Sequence, residues 1–153
     1  MKRRNFLKGT LATSMVGVAV SAGMLSPRAV LAAWPESAFA AKKVEDALNS
    51  LYGTASHSAS GDIKIKAPDI AENGAVVPIT VSTGANAEAI TVLVSENPQP
   101  LCCSFELGSN TEGFVSTRIK MGKTSDVVAV VKSGGKLMSA QKTVKVTIGG
   151  CGG

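Results

Sequence analysis

The chain changes its hydrophobic period once, near residue 61. Between residues 35 and 52 the apolar side chains recur at helical spacing, with a proline at the start and Gly53 just past the end, as is typical of a helix. From residue 62 onward, apolar and polar residues alternate with the period of two of a half-buried strand. The pattern predicts one amphipathic helix and a Ser-rich linker within residues 33–61, and a β domain over residues 62–148.

Turn signals divide the β domain into short segments. The predicted strands are the apolar or alternating stretches at residues 63–65, 77–81, 90–94, 115–121, 127–131 and 144–148. Residues 127–131 are apolar throughout, as in a strand that is buried on both faces. Short strands at this spacing predict an all-β fold, an antiparallel β-sandwich of immunoglobulin-like type with one N-terminal helix.

The first 32 residues have the composition of an export signal. Basic residues near the start precede an apolar run over residues 11–25 and small residues over 29–33, which is the order found in secretory signal peptides. Arg3 and Arg4 before Phe6-Leu7-Lys8 resemble the twin-arginine class, with an ordinary Sec signal as the alternative. Cleavage is expected after Ala32, with Ala33 and Ala40 as alternatives, leaving the mature chain in a bacterial periplasm.

The net charge of +5 belongs to this leader. From residue 33 onward, ten Lys and one Arg are balanced by eleven Asp and Glu. A nucleic-acid binder needs clustered cations on its folded domain, and the sequence therefore gives that class of function little support.

No catalytic, cofactor or metal motif stands out in the mature chain. His57 is the sole histidine of the chain and falls in the Ser-rich linker, where a solvated loop residue is expected. Cys102, Met121 and Met138 are too scattered for a convincing metal site, and the strand pattern makes both methionines core residues. We predict no enzyme activity, no cofactor and no bound metal; a small metal or electron carrier is a remaining alternative.

The C-terminus carries the strongest chemical signal. Cys151 is flanked by Gly149, Gly150, Gly152 and Gly153, directly after the last predicted strand. Glycine has no preferred conformation of its own, so we expect a flexible tail that reaches at most about 17 Å. With no nearby cation or helix start to lower its pKa from about 8.5, the thiol suits activation inside another protein's active site. A structural intermolecular disulfide through Cys151 is the alternative.

The tail, the twin-arginine-like leader, the Trp34-Pro35-Glu36 start and the predicted sandwich together resemble the SoxY family. The resemblance implies the sulfur-carrier subunit of a SoxYZ complex in periplasmic thiosulfate oxidation, paired with a SoxZ subunit. It also implies that Cys151 carries the sulfur covalently. In this scheme SoxAX conjugates thiosulfate, SoxB hydrolyses the sulfonate to sulfate, and SoxCD, where present, oxidises the remaining sulfur.

Two adjacent cysteines, Cys102 and Cys103, depart from the pattern expected for this family. On a regular strand they point to opposite faces, so Cys103 is expected to share a face with Leu101 and Phe105, and one of the two thiols is expected to be buried and the other to lie on the opposite face. A disulfide from this pair, through Cys102, to a partner or a second copy of the chain is the alternative.

Overall fold

The computed structural model describes residues 35–147, which form nine strands and two short helices. The helices are α1 (Glu36–Ala40) and α2 (Val44–Tyr52). The strands are β1 (Ser58–Ala59), β2 (Ile63–Lys66), β3 (Ile70–Ala71), β4 (Val77–Thr83), β5 (Ala89–Val94), β6 (Leu101–Glu106), β7 (Phe114–Ile119), β8 (Ser125–Ser133) and β9 (Lys136–Val146). The predicted signal peptide, Trp34 and residues 148–153 lie outside the described residues. No helix within residues 35–147 is long and apolar enough to cross a bilayer.

The strands form two sheets. The larger has six strands in the order β1-β9-β8-β5-β6, with β3 also paired to β9, and the smaller has the order β2-β4-β7. The long strands pair antiparallel, as predicted. Both β1 and β3 were missed by the sequence pattern, and both pair parallel to β9. A two-residue strand shows no periodicity, which is why neither could be recognised from the sequence.

One hydrophobic cluster fills the space between the two sheets. The small sheet contributes inward-facing residues such as Ile63, Ile79 and Ile119, and the large sheet contributes Val92 and Ala129, all at most 5% exposed. The alternation predicted for β4 and β7 is therefore confirmed, since the odd-numbered residues 77–81 and 115–121 face the core.

A second cluster lies on the opposite face of the large sheet, under the two helices. Ala38 of α1 and Leu48 of α2 pack there with Leu93, Leu101 and Val130, and all five are at most 4% exposed. Residues 127–131 are buried on both faces, as predicted. In β5 even the alternate residues, expected to face solvent, are buried because the helices cover them.

The single helix predicted over residues 35–52 is instead two helices. Ala41 (φ −57°, ψ 145°) and Lys43 (φ −128°, ψ 151°) have extended backbone and separate α1 from α2. In one straight helix Ala38 and Leu48 would be about 15 Å apart along the axis, whereas the break lets both enter the same cluster. The predicted end at Gly53 is confirmed: its φ is +72°, and its N–H donates to Asn49 O at 2.9 Å.

A chain of hydroxyl groups joins α2 to the large sheet. The hydroxyl of Tyr52, the last residue of α2, is 2.6 Å from Oγ1 of Thr91 in β5. The same Thr91 oxygen is 2.8 Å from Oγ of Ser104 in β6. Thr91 is fully buried, so these bonds replace the water that its hydroxyl loses on folding.

Replacing Tyr52 with Phe keeps the ring and removes one member of this hydroxyl chain. We expect a loss of about 1 kcal/mol in the free energy of unfolding, because Thr91 keeps Ser104 as a partner. Urea unfolding of the two proteins measures the difference. Ser116→Ala is the matched control, since it removes an exposed hydroxyl that is 3.1 Å from Thr80 and should change stability by less than about 0.5 kcal/mol. Equal losses in both variants would contradict the role given to Tyr52.

Candidate functional site

The predicted attachment residue, Cys151, and its flanking residues Gly149, Gly150, Gly152 and Gly153 lie outside the described residues. The described chain ends at Thr147, four residues before Cys151. The structure therefore describes the residues from which the predicted tail extends and not the tail itself. We call residues 145–147 the tail root.

The tail root is hydrogen-bonded on both sides. Towards β3, the backbone N–H of Lys145 donates to Asp69 O at 2.9 Å, and that of Thr147 donates to Ala71 O at 3.1 Å. On the other side, the N–H of Val146 donates to Oγ1 of Thr124 at 3.0 Å. The backbone is thus tied to the sheet as far as Thr147.

Lys142 secures the segment that forms β3. Its ammonium group donates to the carbonyl oxygen of Ala67 at 2.7 Å and forms an ion pair with the carboxylate of Asp69 at 3.0 Å. Exposed ion pairs contribute little to stability. Here the ammonium group also bonds a backbone carbonyl, so it fixes residues 67–69 against β9 and positions Asp69 and Ala71 beside the tail root.

Gly74 joins the tail root to the small sheet. Its carbonyl oxygen accepts a hydrogen bond from the N–H of Met121 at 2.7 Å. A Cβ atom at this position would lie 2.3 Å from Met121 O and 2.8 Å from Cγ1 of Val146, closer than packed atoms approach. Only glycine fits without displacement of the backbone, and the turn predicted from Asn73-Gly74 is therefore also a packing site.

A β-bulge changes the expected placement of the cysteine pair. Cys103 is opposite Val92, but the next pair is Leu101 with Leu93, so Cys102 is an extra residue in β6. Because of the bulge, both thiols pack against the cluster between the sheets, while Leu101 packs under the helices. The predictions that the two thiols point to opposite faces, and that Cys103 shares a face with Leu101, are therefore wrong.

Both thiols are half-buried and free, with no disulfide between them. Burial and, to a smaller extent, the adjacent Cys103 raise the pKa of Cys102 to about 12, although a hydrogen bond from the side chain of Asn97 acts in the opposite direction. Burial likewise raises the pKa of Cys103 to about 11, against the effect of a backbone hydrogen bond at Val92. The nucleophilic thiolate is therefore disfavoured at both positions.

The side chain of Asn97, in the β5–β6 loop, bonds the segment that follows β7, close to these thiols. Its side-chain amide donates to Lys120 O at 2.8 Å, and its Oδ1 accepts from the N–H of Gly122 at 3.0 Å. The same amide nitrogen is 4.0 Å from Sγ of Cys102, and that thiol donates to Pro100 O at 3.6 Å. These bonds connect the β5–β6 loop to the end of β7, so the two sheets are held together at this end.

His57 is exposed, as expected, and its Nδ1 is 2.8 Å from Oγ of Ser139. It precedes β1, at one edge of the large sheet, whereas Cys102 is in β6 at the other edge, four strand spacings or about 19 Å away. Met121 is in the core at 2% exposure, and Met138 is half-buried against it. No group of three or more His, Cys, Asp or Glu side chains in residues 35–147 is arranged to hold a metal ion.

The chain is similar to known proteins both in sequence and in structure. A sequence model described as "Sulfur oxidation protein SoxY" matches residues 48–151, a span that includes Cys151. The solved sulfur carrier protein SoxY from Chlorobium limicola f thiosulfatophilum is 43% identical, with a TM-score of 0.63, over 69% of this chain and 97% of that one. No curated protein matches the chain.

A more distant likeness concerns the fold alone. The superoxide reductase (neelaredoxin) from Ignicoccus hospitalis is 21% identical, with a TM-score of 0.50, over 56% of this chain and 80% of that one.

The family match covers more than half of the chain, and the SoxY structure agrees with it in both sequence and fold. The chain therefore belongs to the SoxY family of sulfur oxidation proteins.

Proposed function

We propose that this protein is a periplasmic sulfur carrier that holds thiosulfate-derived sulfur covalently on Cys151 and presents it to partner enzymes. The observation that carries the proposal is the family match, which extends to residue 151 and thus to the predicted attachment site. The solved SoxY protein, similar over 69% of this chain, is itself described as a sulfur carrier. In this role the protein catalyses nothing itself.

The tail root supports this use of Cys151. Hydrogen bonds tie the backbone to the sheet as far as Thr147, and four residues then span at most about 14 Å to Cys151. Four of the last five residues are glycines, so no side chain adjacent to the cysteine would obstruct its entry into a narrow cleft. A thiol on such a tether would reach an active site while the β domain stays outside.

The proposed chemistry follows from the family. Oxidative conjugation joins the Cys151 sulfur to the outer sulfur of thiosulfate; the thiol proton is released to solvent, and a haem enzyme of SoxAX type accepts the two electrons. Hydrolysis by a SoxB-type enzyme adds water across the bond between the sulfane sulfur and the sulfonate, giving sulfate and a persulfide on Cys151. A SoxCD-type enzyme, where present, oxidises that persulfide sulfur further.

We propose export by the twin-arginine route, because folding before export suits a subunit that travels with a SoxZ-type partner. Ala38 of α1 is fully buried in the cluster under the helices. Cleavage after Ala40 would remove that residue from the mature fold, so cleavage after Ala32 or Ala33 is favoured.

The two sheets with a shared core are consistent with the proposed immunoglobulin-like class.

Replacing Cys151 with Ser should abolish formation of the sulfur adduct and leave the β domain folded. The change lies four residues beyond the tail root, so we expect the melting temperature to stay the same. Intact mass after incubation with thiosulfate and the conjugating enzyme measures the adduct. Cys103→Ser is the matched control and should retain it. An adduct that persists in the Cys151→Ser protein would contradict the proposal, as would a parent protein that forms only a disulfide dimer through Cys151.

The raised pKa values of Cys102 and Cys103 predict that, in the folded protein, these two thiols are alkylated much more slowly than Cys151. At pH 8 an ordinary thiol is partly ionised, whereas thiols with pKa values of about 12 and 11 are almost wholly protonated. Their higher intrinsic nucleophilicity offsets part of this difference, so we expect alkylation to be slower by roughly tenfold or more. Iodoacetamide labelling followed by peptide mapping measures each site, and all three should react in denaturant. Similar rates at all three sites in the folded protein would contradict the burial argument.

The proposed export route predicts the first residue of the mature protein. Intact mass of the protein from the periplasmic fraction should correspond to a chain that starts at Ala33 or Trp34. Arg3→Lys combined with Arg4→Lys should keep the charge and block export by the twin-arginine route, leaving the precursor in the cytoplasm. A mature chain that starts at Ala41, or export that is unaffected by the double substitution, would contradict this part of the proposal.

A further inference from the structure

The outer face of the small sheet carries a cluster of cations. Ile63, Ile65 and Ile119 face the core, so the alternate residues Lys64 and Lys66 of β2 and Arg118 of β7 face outward. Lys120 follows β7 on the same side, and all four cationic residues are exposed. We call Lys64, Lys66, Arg118 and Lys120 the basic face.

These four side chains have no ion-pair partner among residues 35–147. The ion pairs of that region are Lys123 with Glu96, Lys132 with Glu88, and Lys142 with Asp69. No acidic residue lies on β4, the central strand of the small sheet. The positive charge of the basic face is therefore neutralised only by solvent and salt in this part of the chain.

The charge is also unevenly distributed along the face. Asp62 and Glu112 precede β2 and β7, at the end where Ile63 pairs with Thr83 and Phe114 with Ser82. Arg118 and Lys120 are at the opposite end, next to Met121. Met121 bonds Gly74, and Gly74 lies against Val146 of the tail root. Two of the four cations, Arg118 and Lys120, thus lie at the end of the domain from which the tail extends, whereas Lys66, opposite Thr80, lies midway along the face and Lys64, opposite Ser82, lies at the other end.

We propose that the basic face docks an acidic protein surface beside the active-site cleft of an enzyme that receives Cys151. This inference rests on the proposed carrier function and names the surface that brings carrier and enzyme together. A protein that meets the outer face at this end would lie next to the tail root, so the tail could enter its cleft without rearrangement of the β domain.

The composition of the face favours a transient protein partner. Charged residues are depleted in the buried core of stable interfaces and common at the rims of short-lived ones, where they accelerate association. Two exposed residues of the same face add apolar contact area: Pro78 lies beside Arg118, and Phe114 lies at the other end, level with Lys64. A free anion such as sulfate fits poorly, because the Cα atoms of Lys66 and Arg118 are separated by two strand spacings across the sheet and two residues along it, about 12 Å in all.

The test separates docking from sulfur chemistry by using the full mature chain, in complex with its SoxZ-type partner, with Cys151→Ser in every binding sample. The double substitution Lys66→Glu and Arg118→Glu reverses the charge of two of the four cations; we call this variant the reversed face. Lys42→Glu with Lys43→Glu, next to α2 and far from the small sheet, makes the same charge change as a matched control. The probe is the purified sulfate-releasing hydrolase of the same sulfur-oxidation system, and calorimetric titration measures its Kd at 50 and 300 mM NaCl.

We expect the Lys66→Glu, Arg118→Glu variant to have a Kd about tenfold higher at low salt, and this Kd should change little between 50 and 300 mM NaCl. The control pair should change the Kd by less than about twofold. In turnover with the sulfur-loaded Cys151 protein, the reversed face should raise KM for the carrier and leave kcat unchanged, because the cleft and the tail are intact. Unchanged melting temperatures show that both variants are folded.

An equal change in Kd for both pairs, or no change for the reversed face, would overturn the docking proposal. So would loss of binding to vesicles that contain anionic phospholipid, with the Kd for the enzyme unaffected, since the face would then bind membrane. Failure of the carrier function itself would show differently, as absence of the adduct on Cys151 in the parent protein whatever the Kd values.

Discussion

The central strands of the large sheet are apolar on both faces, and most of the architecture follows from covering them. β5 is buried along its whole length, and residues 127–131 of β8 are buried with it. Leaving either face exposed would place a row of Val, Ile and Leu side chains in water, at about 25 cal/mol for each Å² of apolar surface. The small sheet covers one face and the two helices cover the other, so the outward residues of the small sheet, such as Lys66 and Arg118, remain exposed.

The same arrangement determines where the tail begins. β9 is paired to β8 along one edge, and on its other edge β3 forms hydrogen bonds beside Lys145 and Thr147. The anchoring segment is itself held by Lys142 and by the close approach of Gly74 to Met121 and Val146. In the proposed function such a junction would favour delivery, because a fixed origin would limit the volume that a short tether can reach.

The two cysteines of residues 35–147 share one environment. Cys102 and Cys103 pack against the core at a β-bulge, where burial raises their pKa values and suppresses the thiolate. In the sequence, Cys151 follows the tail root after Ile148 and two glycines. In the proposed function the suppressed thiolates of Cys102 and Cys103 limit sulfur conjugation to one residue, although the chain has three thiols in an oxidising compartment.

The sequence by itself determined that the fold is mostly β, where most of the longer strands lie, and the family, because these depend on local hydrophobic patterns and on a motif of consecutive residues. The period of two located β2, β4, β5, β7 and the end of β9, and a continuous apolar run located β8, whereas β6 and the first part of β9 were not predicted. The glycine-flanked cysteine together with the leader indicated the SoxY family. Only the tertiary structure decided the break between α1 and α2, the parallel pairing of β1 and β3, and the bulge at Cys102. Each of these arises from contacts between residues distant in sequence: Ala38 with the sheet, Ala71 with Thr147, and Val92 with Cys103. The basic face has the same origin, since Lys66 and Arg118 share a surface only because β2 and β7 flank β4.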